Sequence, residues 1–438
     1  MSVDTTTNTP SPERPYSSQF LDKTPSIQAS RAAYLKILIG GCFTMVIVMF
    51  CVFSIYWGAL WKIPAHNLGG WVVDFDGDTV GRAVVQGLTR SSASASKVTF
   101  EQVDASEFPG GWEEVANRVV EQKTWVAVVV HSNATNALNA AVSSVNSSYD
   151  GSEAITFYGA EARSENAYRS IIRPSVQALL AVTSQEFAQQ FVAQLASSLS
   201  LSSIARSAPQ ILTEPISYTT NNLIPFDVPV ASAITFVGLI YLLILSFFIV
   251  MIGVSAREVS GLQDKLTTGS LIRVRLASVF VAYFLISLFY SLLSRAFQVD
   301  FSRKFGDAGF VIFWMLNFVG MLSVGLALEA MITLLTTRFA PFFMILWIIS
   351  NVSVCFMPIA VLPNIYRYGY AMPFYNVSGA VRTILFGTKN ELGLHFGILI
   401  AWTVISMITL PLFQWFMRRR NIPDSTGLRE EGEKEARH

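Results

Sequence analysis

One carboxylate in this chain stands where a carboxylate is expensive: Glu329, in Gly325-Leu-Ala-Leu-Glu-Ala-Met331. It precedes Arg338 by nine positions, which places it roughly 13 Å below the polar edge of its apolar stretch at a helical rise of about 1.5 Å per residue. A charge at that depth must be paired, protonated or beside water, and by default it marks a functional interior. Asn317, about three turns earlier, falls near the same helical face. The alternative is a hydrogen bond between helices that fixes packing, and the sequence leaves both readings open. A second charged set, Arg257, Glu258, Gly261 and Lys265, lies in the stretch Ser255 to Leu271, whose amphipathic pattern predicts a surface helix resting at the lipid headgroups.

A different chemistry is suggested by Val72-Val73-Asp74-Phe75-Asp76-Gly77-Asp78-Thr79. An apolar strand entering Asp-x-Asp-Gly resembles the opening motif of haloacid-dehalogenase-type phosphatases, where the first Asp attacks phosphorus and the second handles the proton. That motif expects Thr or Val where Asp78 stands, and it needs a downstream Lys and an acidic pair for magnesium, which do not follow in this block. A calcium loop fails as well, because the Gly comes one position early and no acid stands near Val85. The reading is therefore a strand-to-helix turn with Asp78 as the helix cap. The sequence has no GxxxxGK[ST] phosphate loop, HExxH or GxSxG, and its imidazoles are His66, His131, His395 and His438. No enzyme, no cofactor and no metal site are expected.

These residues need elements to hold them. Six apolar stretches run from Ile37 to Leu60, Ala231 to Ile252, Ala277 to Ala296, Gly309 to Thr336, Pro341 to Val361 and Gly393 to Phe416. Each holds roughly 20 or more residues, enough to cross a hydrocarbon core of about 30 Å. Lipid offers backbone groups no partner, so helix is the required form. Only 14% of the residues are charged, against about 25% in a soluble domain. The expected fold class is an α-helical polytopic membrane protein, six transmembrane helices in a 1 + 5 arrangement, with a large extracytosolic α/β domain. Net charge is +1 and the polar block has no basic, aromatic-interleaved patch, so no nucleic acid is expected as a partner; the lipid bilayer is.

The boundaries read as a disordered cytosolic leader over residues 1–34, a first transmembrane helix over 35–60, the α/β domain over 61–230, helices two to six over 231–417 with a cytosolic amphipathic loop at 253–273, and a cytosolic tail over 418–438. Arg14, Lys23, Arg31 and Lys36, then Arg257, Lys265, Arg273 and Arg275, then Arg338, then Arg418 to Arg420, all fall on one side if the spans number six. The positive-inside rule makes that side the cytosol, with both termini there. The first stretch is too long for a signal peptide core and reads as a signal anchor. The leader and the tail are too polar to offset their ordering entropy.

Within the polar block, strands are expected at Trp71 to Phe75, Lys97 to Val103, Trp125 to Val130 and Ile155 to Tyr158. Helices are expected at Asp78 to Leu88, Trp112 to Gln122, from Asn133, and from Ser164 to Ser203 with a break at Pro174; Ile211 to Tyr218 looks extended. Cys42, Cys51 and Cys355 all fall in predicted spans, so the outer domain has no disulfide. Asn133-Ala-Thr135 and Asn146-Ser-Ser148 are glycosylation sequons on the outward side.

Three patches carry a family resemblance: Trp57-Gly-Ala-Leu-Trp61 with His66-Asn-Leu68; Asn222-Leu-Ile-Pro225 through Val237-Gly-Leu-Ile-Tyr241; and the outer loop Tyr366-Arg367-Tyr368-Gly-Tyr370-Ala-Met-Pro373 through Arg382 to Gly387. Together they resemble the fungal nitrosoguanidine-resistance protein family over about Tyr34 to Trp415. Arg257-Glu258 followed by Gly261 and Leu262 is similar to the cytosolic coupling segment of ABC-2-type permeases. The resemblance implies a multi-pass plasma-membrane or secretory-pathway glycoprotein linked to resistance to toxic compounds. It further implies export or transbilayer movement of a hydrophobic small molecule or lipid, a homodimer, and a separate ATPase subunit, since the chain lacks a nucleotide-binding domain. A non-transporting regulator of lipid or stress signalling, acting through a regulatory protein partner, is the competing reading.

Overall fold

The computed structural model describes residues 18–91, 97–196 and 201–435. It divides into two units, residues 1–54 and 55–438. In the first, α1 (Pro25–Val48) passes into a single wide turn at Met49–Phe53. None of its residues is buried, so apolar side chains are left on every face, as a helix in lipid requires. Pro25 opens it, where a missing N–H costs nothing. The helix thus starts inside the stretch expected to be a disordered leader, of which residues 1–17 lie outside the described residues.

The second unit begins in α2 (Ser54–Leu60) and continues into a five-stranded sheet of order β2-β1-β3-β4-β5. Its strands are β1 (Leu68–Asp74), β2 (Val98–Val103), β3 (Val126–Val130), β4 (Ile155–Gly159) and β5 (Tyr218–Asn222). β1 runs parallel to both β2 and β3, with Gly70 opposite Phe100 on one side and Val126 on the other. A Cβ on Gly70 would meet both of those side chains within 3 Å, so only glycine fits there. β4 is antiparallel to β3 and parallel to β5.

All five residues of β3 are buried, which an unbroken apolar run produces when both faces of a strand are covered. Val72, Val128 and Phe157 pack under α3 (Thr79–Ser91), α5 (Ala134–Ser144) and α6 (Arg173–Leu195). Val73, Ala127 and Tyr158 pack against α4 (Trp112–Val120), and through Ile224 and Phe226 this second face is continuous with the core of the apolar helices.

Two expectations for this region change. Pro174 does not break its helix: it sits in the first turn of α6, and the wider turn Tyr168–Ile172 before it absorbs the missing donor. Ile211 is helical, in the single turn Gln210–Thr213 that follows Pro209, and extended structure starts only at Tyr218.

The chain then enters α7 (Gly238–Val259), α8 (Thr268–Ala296), α9 (Ala308–Val352), α10 (Pro373–Phe386) and α11 (Leu392–Glu435). Among the described residues five helices are long and apolar enough to cross a membrane: Pro25–Leu60, Ala233–Val259, Thr268–Ala296, Ala308–Val352 and Leu392–Arg420. α9, at 45 residues, would measure roughly 67 Å if straight. It is instead broken at Thr336 (φ 67°, ψ 167°), beside Arg338 and just before Pro341, which lacks the N–H to continue a helix. Thr333, before the break, lies beside Arg275, which also bonds Gln414 midway along α11. Trp347, after it, packs on Trp402 at 5.1 Å, and Asn351 accepts from the Phe374 N–H at 3.1 Å. The second arm therefore runs back toward the sheet domain and ends at Val352, short of the expected Val361.

The amphipathic surface helix expected within 253–273 does not form. α7 continues through Val259, Gly261 (φ 67°) ends it, one turn follows at Leu262–Lys265, and Thr267 caps α8 by accepting from the Ser270 N–H at 3.4 Å. The expected tail from Arg418 is likewise continuous with α11.

Candidate functional site

The tight α7–α8 turn sets the last turn of α7 beside the second turn of α8, and each brings one arginine inward. Arg275 Nε donates to Glu329 Oε1 at 2.7 Å, and Arg257 Nη2 donates to the same oxygen at 3.1 Å. Arg275 is held further by Nη1 to Gln414 Oε1 at 2.5 Å and by Nη2 to Thr333 Oγ1 at 2.6 Å. The side chains of Arg257, Arg275 and Glu329 are 8%, 3% and 1% exposed. Two guanidinium groups thus share one oxygen, while Glu329 Oε2 and Arg257 Nε have no hydrogen-bond partner among the described residues. The buried set carries one positive charge in excess.

Above it lies a cleft of about 660 Å³, lined by Arg257 and Arg275 together with Glu258, Asp264, Thr336 and Arg418. Glu258 and Asp264 outnumber Arg418 on the rim, so the rim carries one negative charge opposite the positive floor. The break in α9 is part of the wall.

Glu329 and Arg257, which the sequence placed in different roles, belong to one site. Asn317 does not join them: it donates to Ser291 Oγ at 3.0 Å, a bond between α9 and α8. Glu258 stays on the rim, and Gly261 and Lys265 lie in the connecting turn. Arg275 and Gln414 were missed. The available signal was Arg275 two residues before an apolar stretch, where a cation can belong to the helix end or to its interior.

The aspartate motif is occupied by its own turn. Asp74 Oδ1 accepts from the N–H groups of Asp76 and Gly77, both at 2.9 Å. Asp76 accepts from the Gly81 N–H of α3 at 3.4 Å and from the N–H and hydroxyl of Thr135 in α5, at 2.9 and 2.5 Å. The cap is therefore Asp76 and not Asp78, which pairs with Arg82 at 2.9 Å. Where two helix N-termini converge beyond parallel strands a phosphate can bind; here the chain's own carboxylate takes that position. Among the described residues no group of three His, Cys, Asp or Glu could hold a metal.

The outer-loop residues gather where the helices meet the sheet domain. Tyr366 donates to the Ile55 carbonyl at 2.7 Å and Tyr368 to that of Ser350 at 3.1 Å. Pro373 opens α10, Tyr370 and Arg367 are exposed, and Arg382 pairs with Glu165 at 2.5 Å. Nearby, Glu161 accepts from the Phe226 N–H at 3.1 Å, Asn222 Nδ2 at 2.8 Å and Arg169 Nε at 2.6 Å. Burial pushes its carboxyl up, but these donors outweigh burial and hold it below the usual glutamate range. Of the sequons, Asn146 and Ser148 are exposed, whereas Asn133 is exposed and its Thr135 is buried.

The family described as "Protein of unknown function (DUF3533)" matches residues 41–408, and the chain belongs to it. An uncharacterized endoplasmic reticulum membrane protein of Saccharomyces cerevisiae is 33% identical over 201 residues, which is 45% of this chain and 39% of that relative. The match thus spans well under half of the relative's length. No solved structure matches the chain.

Proposed function

We propose that this DUF3533 chain is a permease-like membrane protein that moves a hydrophobic small molecule or a lipid across the bilayer, and that resistance to toxic compounds follows from that export. One observation carries the reading: two buried arginines converge on one buried carboxylate at the floor of a polar cleft, among helices built for lipid. Such a cluster is expensive to bury, and within membrane helices it is a mark of function. The polar end of an amphipathic substrate would compete with Glu329 for Arg257, whose Nε has no partner among the described residues. Arg275, fixed to Gln414 and Thr333, would keep its hold on Glu329 and pass the change to the break at Thr336.

The reversal at Thr336 supports six crossings in a 1 + 5 order, with the sheet domain extracytosolic and both termini cytosolic. The absence of a phosphate-loop motif points to a separate ATPase subunit, and homodimerisation fits the ABC-2-like layout. The plasma membrane remains the expected location; the yeast relative, an endoplasmic reticulum membrane protein, adds that membrane as an alternative.

The test is flux of a fluorescent short-chain lipid and of a hydrophobic dye in proteoliposomes, with and without ATP and candidate ATPases, comparing wild type, Glu329→Gln and protein-free vesicles. Flux above the protein-free rate that falls in Glu329→Gln is the expected result. Wild-type flux equal to that of empty vesicles under every condition removes the transport reading and favours the regulator, which predicts stable co-purification of a protein partner instead.

A further inference from the structure

A second cavity, about 340 Å³, lies between the sheet domain and the helix ends nearest to it. Segments far apart in sequence build it: Trp125 and Arg163 come from the sheet domain, Tyr370 and Tyr375 from the outer loop and the start of α10, and Arg382 and Lys389 from α10 and the turn after it. Three of these are cations, and two of them have their own carboxylates. Arg382 meets Glu165 and Lys389 meets Glu391, each at 2.5 Å.

Arg163 has none. Its Nη1 donates to the Thr124 carbonyl at 2.8 Å, and the guanidinium stacks on the Trp125 ring, 3.4 Å from the centroid. A carbonyl and a π-face orient a cation, but neither supplies a full opposite charge. Glu391, Tyr375 and Tyr370 act on it through space, and His395 and Cys355 are the remaining titratable groups on the wall. Burial pushes the guanidinium down to about 10, as expected where a cation is desolvated without an ion-pair partner.

We propose that this cavity binds the phosphate group of an amphipathic ligand, with Arg163 as its counter-charge and Lys389 at the entrance. The guanidinium's planar fork matches a phosphate, and Lys389, one third exposed, can turn from Glu391 toward an entering anion. The volume, near the lower end for small-molecule pockets, suits a headgroup or a small acid rather than a whole lipid. This site is separate from the Glu329 cleft and does not depend on transport.

The experiment uses the full-length protein in detergent. Native mass spectrometry after exposure to mixed micelles of phosphatidic acid and phosphatidylcholine tests a lipid headgroup as the source, and thermal-shift titration with inorganic phosphate tests a free anion. Selective retention of phosphatidic acid, or saturable stabilisation by phosphate, is expected, and whichever arm responds identifies the source. Arg163→Gln should weaken the response at least about tenfold, as expected for a hydrogen bond to a charged group, and Lys389→Gln about threefold, as expected for a partly exposed ion pair. Arg295→Gln, away from the cavity, should leave it unchanged. If Arg163→Gln folds poorly, Lys389→Gln still decides, because its side chain is partly exposed and, among the described residues, pairs only with Glu391. Wild type responding to neither probe, or Lys389→Gln binding as tightly as wild type, overturns the proposal.

Discussion

Replacing Glu329 with glutamine keeps the shape of the cluster and removes its only negative charge. Arg257 and Arg275, 8% and 3% exposed, would then face each other with no carboxylate between them. At about 3 Å and an effective dielectric near 20, each lost attraction is worth about 5 kcal/mol before solvation is counted. Breaking a buried pair by deleting one partner typically costs about 3–5 kcal/mol net. Arg257→Met removes the surplus cation instead and leaves a neutral Arg275–Glu329 pair at 2.7 Å with all its other bonds, so it should cost less than about 1 kcal/mol. Arg275→Met falls between, because it leaves a neutral Arg257–Glu329 pair but strips donors from Gln414 and Thr333. Thermal unfolding of detergent-solubilised protein, followed by fluorescence-detected size exclusion, measures the order. At about 2–4 °C per kcal/mol, Glu329→Gln should melt roughly 10 °C below wild type and Arg257→Met within about 2 °C of it. Equal losses in Glu329→Gln and Arg257→Met would refute the charge argument and leave the cluster as ordinary packing.

Glu161→Gln should flatten the acid limb of stability. The native carboxyl titrates below the usual range of about 4.3, so its contribution is complete above that value and disappears as pH falls through the native pKa; urea unfolding at stepped pH reads the slope. Gly325→Ala should cost about 1–3 kcal/mol, because the new Cβ would lie 2.1 Å from the Tyr283 hydroxyl and 2.5 Å from its ring. The ring itself is in the way, so Tyr283→Phe should not relieve the penalty and Tyr283→Ala should; equal penalties in both backgrounds would show that the clash relaxes elsewhere. Asn146 should carry a glycan that endoglycosidase H removes and Asn146→Gln abolishes. A mobility unaffected by either treatment would count against an extracytosolic sheet domain.

The local sequence was enough to place most elements. Apolar runs must be helical in lipid, and β-branched segments alternating with amphipathic ones produced β1 to β4 and α3 to α5 within a few residues of expectation. The break at Thr336 was legible too, from Arg338 and Pro341. Glu329 could be recognised as a residue in need of a partner, since burial cost depends on its own charge and depth. Which group would satisfy it could not be read, because its arginines lie 72 and 54 positions away on other helices. The same holds for the helix cap, moved from Asp78 to Asp76 by a turn with Gly77 in the left-handed region, and for Arg163, whose missing counter-charge is defined only once α10 packs beside the sheet domain. Periodicity is a property of neighbours along the chain, whereas pairing of buried charges is decided by helices that meet in space, and only the tertiary structure fixes those meetings.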